Sequence, residues 1–210
     1  MCGKYVLMVG LLTGEMGKII EICNKRSESG EQIFVNDRGE ISPSDWAPAL
    51  LVENCRATAR MMRWGFERPG GGLVINARSE DVHQRPMFRA LADRQRCVLP
   101  ALGYYEWRDA DHLRHLIRRD GGEPFYLAGL YRRDDQGKLR FVVLTRAAFG
   151  EHARIHSRMP CLLFSKEEAR QWISGAMPPE IFSADLSEKL QIEAQGAEQM
   201  RMDLSDLLEL

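Results

Sequence analysis

The sequence predicts one α+β domain, residues 1–210, built on a mainly antiparallel, barrel-like β-sheet with a few peripheral helices. Three observations support this prediction. The 210 residues are enough for one sizeable core and too few to make two domains the default. Short β-prone runs separated by turn residues fill the middle of the chain. The helical patterns are few, and they do not alternate with the strands as regularly as a doubly wound fold requires.

Helical periodicity marks three segments. Residues 13–26 place apolar side chains at positions i, i+3, i+4 and i+7, namely Met16, Ile19, Ile20 and Cys23. Residues 79–94 form a second pattern, in which Pro86 must lie in the first turn or at a break because it has no backbone N–H. A third helix begins after Ser165, where Glu168 completes a capping box, and runs through Ile173.

Runs of β-prone residues lie between the second and third helices, at positions 97–102, 104–107, 113–117, 125–131 and 139–145. Gly103 separates the first two runs. Residues 134–137, Asp-Asp-Gln-Gly, indicate a hairpin turn between the last two. The run Pro-Gly-Gly-Gly at 69–72 predicts a flexible loop.

Charge is unevenly distributed along the chain, although the net charge is only −1. Residues 1–55 carry a net −3, residues 56–158 a net +8 and residues 159–210 a net −6. The basic middle segment contains nineteen arginines and one lysine, and the planar fork of arginine suits phosphate. An anionic partner is one interpretation of this segment, and a solvated mixed surface is the other.

The composition is ordinary for a globular protein, with 44% hydrophobic and 28% charged residues. No apolar run approaches the roughly 20 residues needed to cross a membrane. The apolar stretch at 5–12 is interrupted by glycine and too short for a secretory signal. We therefore expect a cytoplasmic monomer, nucleoid-associated if its source is bacterial, with no membrane partner and no cofactor.

The five cysteines are Cys2, Cys23, Cys55, Cys97 and Cys161. Their number is odd, their spacing is wide and no CxxC pair occurs, so we expect neither a disulfide framework nor a structural metal site. Four of them fit the role of small buried hydrophobic residues. Cys2 differs because it follows the start methionine directly.

Removal of Met1 would leave Cys2 with a thiol and an α-amine on adjacent carbons. An α-amine has a pKa of about 7.7–8.0, against about 10.4 for lysine, so far more of it is neutral at pH 7. A neutral amine attacks an aldehyde to form an imine, and the thiol then closes on the imine to form a thiazolidine. Cys2 can thus trap an aldehyde durably, but on this residue alone simple packing in the core stays open.

Four segments, in the correct order, resemble the SRAP family (SOS response-associated peptidases), which includes abasic-site sensors. They are residues 1–3, residues 64–66 with 75–80, residues 96–101 with 103–107, and residues 156–160. The last four runs are Ile-Asn-Ala-Arg-Ser-Glu, Arg-Cys-Val-Leu-Pro-Ala, Gly-Tyr-Tyr-Glu-Trp and His-Ser-Arg-Met-Pro. The resemblance covers roughly residues 1–175, and the acidic C-terminal segment 176–210 has no functional interpretation.

This resemblance implies a sensor and shield of abasic sites in single-stranded DNA. The protein would form a covalent thiazolidine crosslink through Cys2, with lyase-like chemistry and autoproteolytic, peptidase-like removal of Met1. Asn76 is similar to the family residue that orients the cysteine, and Glu106 to its acid–base carboxylate. His156 resembles the histidine that handles protons at the sugar and during Met1 removal.

The resemblance and the residue types also suggest DNA contacts. Arg78 looks like the family's phosphate-binding arginine, and the weaker candidates are Lys4, Arg85 and Arg158. Lys4 stands where the family usually has arginine, so it would offer a point charge instead of a fork. Trp64 and Trp107 are candidates for stacking on bases or sugars, although Trp64 fits core packing equally well.

Two other classes of function remain open at this point. N-terminal-nucleophile glutamine amidohydrolases also begin Met-Cys-Gly and expose the cysteine, which then attacks a glutamine side chain. A non-catalytic DNA-binding module would need only the arginines.

Overall fold

The computed structural model describes residues 2–7, 14–25, 39–178, 182 and 189–196. The strands of these ranges are β1 Lys4–Val6, β2 Glu40–Ile41, β3 Trp46–Glu53, β4 Arg56–Trp64, β5 Phe66–Glu67, β6 Leu73–Val74, β7 Asn76–Arg78, β8 Arg96–Ala101, β9 Gly103–Trp107, β10 Arg114–Arg119, β11 Phe125–Arg133, β12 Leu139–Ala147, β13 Arg158–Pro160, β14 Leu162–Leu163 and β15 Leu190–Gln195. The helices are α1 Gly14–Lys25, α2 Pro86–Arg94, α3 His152–Ile155 and α4 Lys166–Ser174.

A closed barrel forms the centre of the fold. Strands pair in the order β12-β4-β3-β8-β11, and β11 then pairs with β12 to close the ring. All these pairings are antiparallel except the parallel contact of β4 with β12. The predicted α+β class with a mainly antiparallel, barrel-like sheet is therefore confirmed.

Two further strands extend the C-terminal end of β12. β7 pairs with it in parallel, with Thr145 opposite Arg78, and β13 pairs with it antiparallel, with Ala147 opposite Arg158. β12 thus positions two segments of the chain that the sequence motifs singled out.

A second, five-stranded antiparallel sheet runs in the order β15-β10-β9-β1-β2. Strand β9, which carries the Gly-Tyr-Tyr-Glu-Trp motif, lies between β1 and β10. Lys4 is opposite Tyr105, so Cys2 lies just beyond the paired part of β1, at the same end of the sheet as Glu106. β15 belongs to the acidic C-terminal segment, which therefore contributes an edge strand to this sheet.

Trp64 packs these two sheets together. Its ring lies 5.5 Å from that of Tyr5 in β1 and is stacked 5.8 Å from Phe141 in β12. The indole N–H donates to the carbonyl of Ile75 at 2.9 Å, directly before β7. All of this side chain is buried, so the expectation that Trp64 stacks on DNA is wrong: it is a core residue that supports β7.

The helices largely follow their local signals. α1 lies within the predicted segment, and α4 begins with the predicted capping box, in which Ser165 accepts from the Glu168 N–H and the Glu168 side chain from the Ser165 N–H. The second helix is shorter than predicted. It begins at Pro86, because Pro86 occupies the first turn and Arg85 before it has an extended backbone. None of the helices in the described ranges is long and apolar enough to cross a membrane.

Gly103 fixes the distance between β9 and β10. A Cβ at this position would lie 2.9 Å from the backbone oxygen of Ile117 and 3.0 Å from Leu116 Cδ1. A backbone oxygen cannot rotate away, so a side chain here would push the two strands apart.

We predict that Gly103→Ala lowers the free energy of unfolding by about 1–3 kcal/mol, the usual cost of overpacking. Gly196→Ala is the matched control, because a Cβ added there would meet no atom of the described chain within 4 Å. Denaturant unfolding of both variants measures the difference. Equal stability of the two would contradict the close approach of β9 to β10.

Candidate functional site

Cys2 is held at the start of β1 by Asn76. The Asn76 Nδ2 donates to the Cys2 carbonyl oxygen at 2.9 Å, joining the N-terminus to β7 and hence to the barrel. Cys2 is fully buried, and its thiol points to the Lys4 carbonyl at 3.8 Å. Burial raises the pKa of the Cys2 thiol, and the charge of Glu106 acts in the same direction. The structure therefore brings together the first three residues of the predicted site.

Glu106 is the second titratable group beside Cys2. It lies in β9 with 4% of its surface exposed. Burial raises the pKa of its carboxyl to about 7, while the positive amino terminus of the chain lowers it and Asp109 raises it. A carboxyl with this pKa is able both to donate and to accept a proton near neutral pH.

His156 is connected to the same site through Asp109. Its Nδ1 accepts the backbone N–H of Arg158 at 2.9 Å, so the neutral imidazole carries its proton on Nε2. Nε2 lies 3.8 Å from Asp109 Oδ1, and the Asp109 backbone N–H donates to the carbonyl of Ile155 at 3.0 Å. Sequence reasoning missed Asp109, although it lies only two residues beyond the β9 motif.

Arg158, a predicted DNA contact, forms an ion pair within the chain. Its guanidinium donates to both oxygens of Glu80, at 2.6 and 2.9 Å, and to the Thr145 carbonyl at 2.7 Å. Hydrogen bonding to Arg158 lowers the pKa of Glu80 to about 2. This bidentate pair ties β13 to the segment after β7. The DNA contact expected of Arg158 stays a prediction, and such a contact would compete with this pair.

Lys4 is likewise engaged within the protein. Its ammonium donates to Glu40 Oε2 at 2.8 Å, and Arg114 donates to Glu40 Oε1 at 3.2 Å. Glu40 is only 4% exposed, and Arg114 also lies over the Tyr105 ring at 4.4 Å. The lysine thus anchors the strand that follows Cys2, and a phosphate contact at Lys4 stays a prediction.

The remaining predicted DNA residues are exposed. Arg78 ends β7 and makes no ion pair with the rest of the described chain. Arg85 lies before α2 and forms a mainly exposed pair with Asp81 at 3.1 Å. Trp107, at the end of β9, has 36% of its surface exposed, which is high for a side chain of this size. Arg78 and Trp107 end the two strands, β7 and β9, that also carry Asn76 and Glu106.

All five cysteines are unpaired, and Cys55 is the exposed one. Within the described ranges, no group of three or more His, Cys, Asp or Glu side chains is arranged to hold a metal ion.

The region of the chain that matches a known protein family includes all the residues of the site. A family model described as SOS response associated peptidase (SRAP) matches residues 1–202. A Bacillus subtilis protein named abasic site processing protein YobE is 27% identical over 187 residues, covering 83% of this chain and 82% of its own. Abasic site processing protein YedK of Escherichia coli is 33% identical over 131 residues, covering 56% of this chain and 58% of its own.

Solved structures share the fold. A protein from Bacteroides thetaiotaomicron superposes with a TM-score of 0.72 at 19% identity, covering 95% of this chain and 94% of its own. A phage-related protein from Bordetella bronchiseptica gives a TM-score of 0.67 at 23% identity, covering 92% and 94%.

The buried Glu106 carboxyl leads to a prediction on stability. Its pKa rises from an ordinary 4.5 to about 7 in the folded chain. Between these two pH values the folded state binds more protons than the unfolded state, so stability falls as pH rises and stays reduced above pH 7. Glu106→Gln removes this cost, and we predict a gain of up to about 3 kcal/mol at pH 8 and none at pH 4.

Thermal or denaturant unfolding at the two pH values measures this gain. Asp135→Asn, in the exposed turn between β11 and β12, is the control and should leave stability unchanged at both. If Glu106→Gln destabilises the protein equally at pH 4 and pH 8, the carboxyl is not held in a desolvated environment.

Proposed function

The chain belongs to the SOS response associated peptidase (SRAP) family, and from that premise we propose that it captures abasic sites in single-stranded DNA through Cys2 after loss of Met1. The single observation that carries the proposal is the position of Cys2, tied by Asn76 beside a buried carboxyl whose pKa is about 7. The names of the relatives, abasic site processing proteins, support the choice of substrate.

The covalent step uses both functional groups of the freed Cys2. The neutral α-amine attacks the C1′ aldehyde of the ring-opened sugar, and loss of one water leaves an imine. The thiol then adds across this C=N bond: sulfur bonds to carbon, and the thiol proton ends on nitrogen. No group is oxidised or reduced. The product is a five-membered thiazolidine, formed with the advantage of an intramolecular reaction.

Glu106 supplies the proton transfers at Cys2. Imine formation requires the departing hydroxyl to be protonated, and ring closure requires the thiol to lose its proton. A group with a pKa of about 7 exists in both forms at neutral pH, so it can serve both steps. Asn76 keeps the Cys2 backbone in place while its amine and thiol react.

His156 serves proton transfers that do not involve the Cys2 amine. Because its Nδ1 is occupied by the Arg158 N–H, Nε2 is the nitrogen that exchanges protons with a substrate. We assign to it the opening of the closed sugar to its aldehyde, and proton transfer during peptidase-like removal of Met1. Asp109 Oδ1, 3.8 Å from Nε2, lies on the side of the ring where this exchange would take place.

DNA would be held mainly through its backbone and by stacking. Arg78 and Arg85 supply charge to phosphates, and Trp107 supplies an aromatic face. Such contacts carry little sequence information. The family match favours this function over a glutamine amidohydrolase, which would use the same Cys2.

We predict that Cys2→Ala abolishes a denaturation-resistant crosslink to an abasic oligonucleotide, while noncovalent binding to single-stranded DNA persists. Cys2→Ser should give at most a labile adduct, because its hydroxyl is a poor nucleophile. Denaturing electrophoresis measures the crosslink, and a mobility shift measures noncovalent binding.

Cys55→Ala is the matched control, since it removes an exposed thiol elsewhere and should crosslink like the parent. The proposal is wrong if Cys2→Ala crosslinks as strongly as the parent without a reductant.

We also predict that Glu106 and His156 act in different steps. Glu106→Gln should slow crosslinking about 10²–10⁴-fold both with a natural abasic site and with an acyclic aldehyde that cannot close into a sugar. His156→Ala should slow the reaction with the natural site but leave the acyclic aldehyde close to the parent rate, because no ring must be opened.

Time courses with the two oligonucleotides, on protein whose mass shows a free Cys2, measure these rates. His83→Ala, an exposed histidine with 42% of its side chain accessible, is the control. If His156→Ala slows crosslinking equally with the natural site and the acyclic aldehyde, His156 does not act in ring opening. If Glu106→Gln and His156→Ala both crosslink at the parent rate, neither residue has a catalytic role.

A further inference from the structure

Tyr104 has a buried hydroxyl beside the reactive cysteine. The side chain lies in β9 and is fully buried. Its Oη is inaccessible to solvent and has no hydrogen-bond partner within the described ranges. A buried donor without a partner destabilises the folded state, so a fold rarely retains one unless the group has a partner in another state of the protein.

The strand register determines what this hydroxyl faces. Alternate residues of a strand share a face, so Tyr104 lies on the same face of β9 as Glu106. Tyr5 of β1 is directly opposite Tyr104. The pKa of the Tyr104 phenol is raised by burial and then by the charges of Cys2 and Glu106. Tyr5 has a second buried hydroxyl without a partner within the described ranges. The pKa of its phenol is raised by burial and then by the charges of Cys2, Cys97 and Asp45, whereas Glu106 acts on the phenol of Tyr104.

The thiol of Cys2 needs a new hydrogen bond when it loses its proton. As a thiol, Cys2 points its S–H to the Lys4 carbonyl at 3.8 Å. A thiolate has no proton to donate, so that contact is lost on ionisation. Of the nearby groups, Asn76 Nδ2 is engaged with the Cys2 carbonyl. Glu106 is occupied with the transferred proton, and its ionised form can only accept. The hydroxyls of Tyr104 and Tyr5, which have no partner within the described ranges, are further donors for the sulfur.

We propose that Tyr104 is a positioning residue whose hydroxyl donates to the ionised Cys2 sulfur and so makes the buried thiol reactive nearer neutral pH. This inference rests on the proposed function and names a further residue for its ring-closing step. In that step the thiol proton passes to the Glu106 carboxylate, the Tyr104 O–H donates to the sulfur anion, and sulfur attacks the imine carbon. The imine nitrogen takes up one proton, so the sum is again addition of S–H across C=N.

The groups that set the reactivity of this thiol come from three strands. Glu106 and Tyr104 act on it from β9 and Tyr5 from β1, and the positive charge of the amino terminus lowers its pKa. His115 of β10 is opposite Glu106 and is buried, with its Nδ1 2.9 Å from the Leu113 carbonyl. Of these groups, the hydroxyls of Tyr104 and Tyr5 can be removed without altering charge at neutral pH, and Tyr104 is the one on the strand of Glu106.

The test is Tyr104→Phe against Tyr105→Phe. Tyr105 is the next residue of β9 on the opposite face, where its hydroxyl bonds to Glu40 and Gln195. Iodoacetamide labelling across a pH range, read at the Cys2 peptide by mass spectrometry, gives the pH midpoint of Cys2 reactivity. Labelling of the exposed Cys55 in the same samples corrects for loss of reagent.

We expect Tyr104→Phe to raise this midpoint by about one unit or more, since a hydrogen bond to a charged group is strong. Crosslinking at pH 7 should slow about tenfold or more for the same reason. Noncovalent DNA binding should stay at the parent level. The melting temperature should rise by about 2–4 °C, because an unpaired buried donor is removed. Tyr105→Phe should leave the midpoint unchanged.

An unchanged midpoint in Tyr104→Phe overturns the inference, and so does an equal shift in Tyr105→Phe. A fall in melting temperature together with weaker DNA binding also overturns it, since that pattern marks a structural role. If the parent protein forms no crosslink at all, the proposed function fails. The labelling midpoint still tests Tyr104 in that case, because it does not depend on DNA.

Discussion

The hydrogen bond from Asn76 to the Cys2 carbonyl is the contact on which the arrangement of the site depends. Cys2 lies beyond the paired part of β1, so the ladder alone does not hold it. Asn76 in turn is fixed by the parallel pairing of β7 with β12 and by Trp64, which holds the Ile75 carbonyl. One bond of about 0.5–1.5 kcal/mol therefore connects the reactive terminus to the closed barrel. Burial of Glu106 raises the pKa of its carboxyl to about 7, and its proposed role in acid–base chemistry depends on this shift.

Elements with local signals could be predicted from the sequence, whereas those made by distant pairing could not. The capping box of α4 and the hairpin turn at 134–137 depend on residues a few positions apart, and both are present. The β3–β4 hairpin was missed: its turn uses Asn54 and Cys55 with positive φ, not an Asn-Gly pair, and Pro48 argues against a central strand. Closure of the barrel through β11 and β12 and the pairing of β15 with β10 have no local signal at all.

The same difference between local signals and distant contacts applies to the residues of the site. Cys2, Asn76 and Glu106 lie in recognisable motifs, and the structure brings them together. His156 joins them through Asp109, which no motif contains.

The charges of the predicted DNA contacts depend on distant residues. The partners of Lys4 and Arg158 are Glu40 and Glu80, 36 and 78 positions away in the chain, so both cations looked unpaired in the sequence. An arginine that the sequence suggests as a phosphate ligand can instead pair with a carboxylate of the same chain, because a carboxylate accepts the same two parallel hydrogen bonds. Arg78, Arg85 and Trp107 remain predictions, supported by their exposure.

The most direct measurement of the central claim is the chemical state of the trapped sugar carbon. An abasic oligonucleotide labelled with carbon-13 at C1′ is reacted with protein whose Cys2 is free, and the carbon spectrum of the purified adduct is recorded. We expect a tetrahedral carbon bonded to both nitrogen and sulfur, in an adduct whose mass equals protein plus DNA less one water. A trigonal imine carbon, or a tetrahedral carbon bonded to sulfur and oxygen, would contradict it, since either would show that the amine and thiol of Cys2 do not act together.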